Sequence, residues 1–237
     1  MFARTGRSHA DAKPRCRSAL VVTAGLLALV TGGCAGGLAG STAQVQCPSP
    51  IETPVLHAGD TWTYRNEDGR RWRQTYDKVT EDGLVRGRGP KANVEYYYDH
   101  THTLRKVWSK GQWVTAPTPD FWDIGKPILQ FPLTPGSGWV YTTPASDDYG
   151  MTFVRRHTVV GCEQVTVPAG TFVAVRIDVS QIQSNRPANA AMDWSLWYAP
   201  AVKSFVKRTG GRATFWTPMP GFELESYTID AQKPATH

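Results

Sequence analysis

The sequence predicts an all-β protein: one large curved antiparallel sheet, half-closed or closed into a barrel, with a two-sheet β-sandwich as the alternative. Three observations carry this. Helical periodicity is nearly absent. Short runs rich in Val, Thr, Tyr and Trp alternate with Gly, Pro and Asp-Gly punctuation. The 237 residues are 41% hydrophobic and include 9 Trp, 9 Tyr and 8 Phe, enough apolar area for a folded domain rather than a disordered chain.

Taken in order, strands are expected at 61–65, 71–80, 84–88, 94–99, 104–109 and 112–115, with Asp82-Gly83 and Lys110-Gly111 as tight turns between neighbours. Five prolines (Pro117, Pro119, Pro127, Pro132, Pro135) then break the pattern and predict a long crossing loop. Strands resume at 139–142, 151–160, 163–167, 171–182, 192–198, 202–208 and 223–229. The clearest is 171–182. Val173, Val175, Ile177 and Val179 are expected on a core face, and Ala174, Arg176, Asp178 and Ser180 on a face toward solvent or a groove. Gly59-Asp-Thr-Trp62-Thr-Tyr64 and Gly136-Ser-Gly-Trp139-Val-Tyr141 share a G-x-x-W-x-Y pattern, 77 residues apart. This is either a weak internal duplication or two hairpins that start alike.

The N-terminus reads as an address. Five of the 26 Lys and Arg precede an apolar run at 19–30, which suits a signal-peptide h-region and is shorter than the ~20 residues of a spanning helix. Beyond residue 33 the excess of basic over acidic residues is only two, so the pI of 9.2 does not argue for nucleic acid as a partner. The run ends in Thr31-Gly32-Gly33-Cys34, which resembles the lipobox of bacterial lipoproteins. The resemblance implies cleavage after residue 33, a diacylglycerol on the Cys34 thiol and attachment to a membrane. Ala35, where an Asp would favour the inner membrane, implies the periplasmic face of the outer membrane. The segment 34–50 is small and uncharged and is expected to be a flexible tether, leaving 51–237 as a single β-domain. With Cys16 removed and Cys34 acylated, Cys47 and Cys162 remain as a disulfide pair for an oxidising compartment, or as two buried thiols.

Two further segments carry a family resemblance: Val167-Pro-Ala-Gly-Thr-Phe-Val-Ala-Val-Arg-Ile177 and Trp197-Tyr-Ala-Pro-Ala-Val-Lys-Ser-Phe-Val-Lys207. Together they resemble bacterial lipoprotein-type domains of unknown function, the TapB-like group and its relatives. Ala201 and Lys203 depart from the A-P-G-V-G continuation of that group. The resemblance implies an all-β periplasmic domain and brings no catalytic residue.

Chemical motifs are sparse. No G-x-S-x-G, P-loop, G-x-G-x-x-G or H-E-x-x-H occurs. His100 and His102, with Asp99, would supply half a metal site, but no third ligand is in view, and a solvated turn explains them as well. Asp147-Asp148 lacks the spaced oxygen series of a Ca²⁺ loop. His57, His157, Asp120, Asp123 and Asp193 form no linear constellation. Arg70-Arg71-Trp72-Arg73 and Arg155-Arg156 suit either anionic headgroups or solvated strand faces. No metal, cofactor or catalytic residue is therefore expected, and Arg176 is the one candidate ligand anchor. The expected function is a tethered, non-enzymatic lipoprotein that binds an envelope protein or a hydrophobic ligand. The alternative is a hydrolase of envelope lipid or glycan with carboxylates assembled in space.

Overall fold

Turn residues set the strand ends, and long apolar alternation sets the sheet. The computed structural model describes residues 44–48, 50–88, 93–118, 123–144, 152–184, 190–213 and 219–229. Among them the N-terminal strands are β1 (Gln44–Val45), β2 (Thr61–Asn66), β3 (Arg71–Val79), β4 (Val85–Arg88), β5 (Glu95–Tyr98), β6 (Leu104–Ser109) and β7 (Gln112–Val114). After the proline-rich crossing come β8 (Gly138–Pro144), β9 (Thr152–Val167), β10 (Gly170–Ser184), β11 (Ala190–Ala199), β12 (Ser204–Arg208), β13 (Arg212–Ala213) and β14 (Phe222–Thr228). The only helical element among the described residues is a 3-10 turn at Pro200–Val202.

All these strands belong to one antiparallel sheet, in the order β1-β9-β10-β11-β12-β14-β2-β3-β4-β5-β6-β7, with β8 beside β9 and β13 beside β11. The ends of this path, β1 and β7, do not pair, so the curved sheet stays open rather than closing into a barrel. The two strands expected at 151–160 and 163–167 are one. A register shift, Arg176 opposite Gly161 and Ile177 opposite Val159, leaves Val160 as an extra residue, and the strand runs on past it.

On β10 the alternation is realised with one correction. Val175, Ile177 and Val179 are buried among Val159, Leu196 and Tyr198. Val173 lies on the same face but is 43% exposed. The crossing loop that covers this face contributes Ile128, Leu129, Phe131 and Leu133 to the cluster around the strand's middle, and Val173 is not part of that cluster. The opposite face changes character along its length. Near the β9–β10 turn, Val165, Val167 and Ala174 pack with Trp62, Tyr64, Tyr76 and Leu224 in a second core. Farther along, the same face is polar.

A short run of hydrogen bonds locks the 3-10 turn of the Trp-Tyr-Ala-Pro segment onto β2 and its neighbours. Trp62 Nε1 donates to the Val202 carbonyl at 2.7 Å, and the Tyr64 hydroxyl meets Ser204 Oγ at 2.9 Å. Gln74 Nε2 donates to the Tyr76 hydroxyl, which donates to His102 Nδ1; His102 Nε2 then donates to the Lys203 carbonyl. That chain requires a neutral His102 protonated at Nε2, and burial accordingly pulls its pKa down to about 4. Both G-x-x-W-x-Y segments play the same local part. Gly59 and Gly136 adopt positive φ at a turn, and each Trp is buried with its indole N–H on a backbone carbonyl, Val202 for Trp62 and Pro127 for Trp139.

The described part of the segment expected to be a tether is attached to the sheet. Gln44 and Val45 pair with Glu163 and Cys162, and Cys47 is bridged to Cys162 across a Cα separation of 5.1 Å. Ile51 then bridges to Leu133.

Candidate functional site

Where the second face of β9–β11 turns polar, it forms the floor of an open cleft of about 820 Å³. Period-two alternation places Arg156 and Thr158 from β9, Asp178 and Ser180 from β10, and Asp193 and Ser195 from β11 along this floor. The facing wall comes from elsewhere in the chain: Glu67 from the β2–β3 turn, and Thr209, Gly210, Gly211, Met219 and Pro220 around β13. Glu67 is fixed by the Gly221 N–H, 3.0 Å from its Oε2. A Cβ at position 221 would overlap that carboxylate and lie 2.7 Å from the Arg208 carbonyl oxygen, so glycine permits the close approach. An adjoining hollow of about 540 Å³ shares Glu67 and Thr209 but is lined also by Arg65, Lys207 and Arg208. That hollow also holds Glu223, which pairs with Lys207 at 3.1 Å, so its charges are mixed.

Arg176 stands where the core half of this face meets the cleft. Its Nε and one Nη donate to the two oxygens of Asp178 at 2.8 and 3.0 Å, and its other Nη lies 3.4 Å from Glu163. Glu163 in turn accepts the indole N–H of Trp197 at 2.9 Å. Ser195 Oγ donates to Asp178 at 2.7 Å, and the Ser195 backbone N–H donates to Thr209 Oγ1 at 2.8 Å. The expected ligand anchor is therefore engaged by two carboxylates, and its effect on the cleft is to fix Asp178 in the floor. Arg176→Ala should lower stability by about 1–3 kcal/mol, since the Glu163 side chain, only 9% exposed, loses its cation. Adding Glu163→Gln should recover part of the loss. Urea unfolding of the two single variants and the double variant measures the coupling, and full wild-type stability of Arg176→Ala would contradict this role.

The other residues singled out in the sequence lie apart. His102 is locked as described, and no group of three or more metal-ligating side chains occurs among the described residues. His57 approaches Lys203 Nζ through Nδ1 at 3.1 Å, and its backbone N–H donates to buried Asp60. His157 is buried against Trp139, ring centroids 4.6 Å apart, and burial together with Arg155 pulls its pKa down to about 3. Asp123 is half-buried, and desolvation raises its pKa. Asp120 and the Asp147-Asp148 pair lie outside the described residues, as does Cys34. The basic runs are largely occupied: Arg70 pairs with Asp68, Arg71 with Glu225, and Arg155 donates to Tyr141 and Gln181. Of the sequence's expectations only Asp193, Arg156 and the polar face of β10 reach the cleft. The facing wall left no local signal, because Glu67, residues 209–211, Met219 and Pro220 meet the floor only through the sheet order.

Chemically the cleft offers hydroxyls and three carboxylates, Glu67, Asp178 and Asp193, of which the first two are held in place. Asp178 is neutralised by a bidentate guanidinium, and Glu67 is held by a backbone amide, so neither is poised as a nucleophile. The lining suits hydrogen bonding to a polar group of a partner rather than enclosure of an acyl chain.

The chain defines an open, antiparallel all-β protein with a cleft of mixed polar and apolar lining. No protein-family model matches it, so the TapB-like resemblance rests on the two quoted segments alone, and no curated protein matches either. Three solved structures are similar at low level, each at 12% identity over 76% of this chain. They are the hypothetical lipoprotein YmcC of Escherichia coli K12 (TM-score 0.42, 90% of that chain), a presumed lipoprotein of Parabacteroides distasonis (0.39, 99%), and a presumed exported protein of Bacteroides fragilis with a YmcC-like fold (0.37, 99%).

Proposed function

We propose that the protein is a cell-envelope lipoprotein, held by lipid on Cys34 at the periplasmic face of the outer membrane. In this reading it acts without catalysis, as a binding module whose cleft takes a polar group of an envelope partner. The observation that carries the address is the Cys47–Cys162 disulfide. Such a bridge persists in an oxidising compartment, and its first cysteine lies thirteen residues after the lipobox cysteine. The held carboxylates of the cleft support binding over hydrolysis. The hydrophobic-ligand variant is less well supported, because the described cleft is open and its apolar lining (Val179, Trp194, Met219, Pro220) is interleaved with charged and hydroxyl side chains.

The test is incorporation of labelled fatty acid in cells. Wild-type protein should take up label and sediment with membranes, while Cys34→Ala should take up none and keep its N-terminal segment uncleaved. Undiminished labelling of Cys34→Ala would rule the anchor out.

A further inference from the structure

We infer that the β9–β10 turn is a membrane-contact surface, the end of the protein that rests on the bilayer holding its anchor. The inference rests on lipidation of Cys34 and adds an orientation to it.

Register gives the direction. Gln44 pairs with Glu163 and Val45 with Cys162, antiparallel, so the chain before Gln44 comes from the side of Gln164, Val165 and the turn beyond them. Length gives the distance. Ten residues separate Cys34 from Gln44. Their typical reach is about 16–19 Å and their limit about 33–36 Å. Along β9, Glu163 lies five residues before Pro168, or about 17 Å at the rise of a strand. A tether of that length is long enough to span the distance from Gln44 to the level of the turn. The cleft lies the other way, Thr158 being ten residues and about 33 Å from Pro168 along the same strand.

Surface chemistry agrees. Between Glu163 and Arg176, twelve consecutive residues carry no charge. Pro168, Gly170, Thr171 and Val173 are exposed there. Phe172 packs edge-on against Tyr227 at 5.9 Å, and Tyr227 is itself 40% exposed. The Ala169 N–H donates to the Leu224 carbonyl at 3.1 Å, which ties the turn to β14. The neighbouring residues 226–229 are also uncharged. An uncharged turn with an exposed Val and a Tyr beside it, flanked by the Arg71–Glu225 ion pair, suits the headgroup boundary, where amphipathic rings concentrate. The charged residues Arg156, Asp178 and Asp193 gather at the far end, facing away from the bilayer.

The test places an environment-sensitive dye on Thr171→Cys, or on Asp193→Cys as control, in lipidated protein reconstituted into phosphatidylethanolamine–phosphatidylglycerol vesicles. Emission from position 171 should rise two- to fourfold on vesicles and fall when brominated phospholipids are included, while position 193 responds to neither. A probe at 171 as silent as the one at 193, on protein that floats with the vesicles, would overturn the contact and leave the anchor standing. Should Cys34 take up no acyl chain in cells, the anchor reading fails separately. The contact is then read on chain tethered to nickel-chelating lipid by a hexahistidine placed at position 34, where silence at 171 again overturns it and a response upholds it.

Discussion

Ile177→Asp is expected to unfold the protein. Ile177 is fully buried in the cluster under the crossing loop, among Val159, Leu196 and Tyr198. A carboxylate there gains no cation, because Arg176 points to the opposite face and is already held by Asp178 and Glu163. The cost of several kcal/mol is comparable to the ~5–15 kcal/mol total stability of a domain. Val173→Asp, on the same face but exposed, should change stability in solution by no more than about 0.5 kcal/mol. Thermal unfolding of the pair by circular dichroism decides the matter, and equal, mild effects would refute the face assignment.

Loss of the disulfide should be the next largest effect. Cys47 and Cys162 are 115 residues apart in sequence, and in the chain-entropy account closing a loop of that order stabilises by up to about 4.7 kcal/mol. At this chain size the ceiling corresponds to a fall of roughly 10–20 °C in Tm. The double variant Cys47→Ala/Cys162→Ala also loosens β1, which is held otherwise by its ladder with β9 and by Val45 against the cluster around Cys162. Calorimetry of wild-type and double-variant protein gives the comparison. An unchanged Tm, with thiol counting showing the bridge intact in wild type, would mean that the bridge adds nothing to stability.

Much of the fold is legible in the sequence, since strand position depends on local pattern. Leu104–Ser109 is found at its expected bounds, and most others agree within two residues, because Gly, Pro and Asp-Gly stop strands by local geometry. The merger of two expected strands at Gly161-Cys162 was hidden, since a bulge keeps a strand continuous while resembling a turn in sequence. Val173 has the right face, but its burial depends on a covering loop more than forty residues upstream. Arg176 stood out as a cation in an apolar strand; its partner Glu163, across the hairpin, emerges only with the register. The cleft was the least legible feature. Its floor follows alternation on β10, whereas its wall depends on which strands neighbour one another, and no local pattern records that.

The sheet order has a consequence for how the chain is made. β14, which follows every other described strand in the chain, lies between β12 and β2, and among the described strands it is the sole backbone ladder joining the early group β2–β7 to the late group β9–β12. A chain threaded through a membrane N-terminus first presents β2 with one edge bare until β14 emerges, after every other described strand. Completion must wait for release, and until then the vacant edge of β2 is open to mispairing with other chains. Nonsense mutations before residue 222 would therefore strand the whole sheet as two incomplete halves rather than trim a peripheral end.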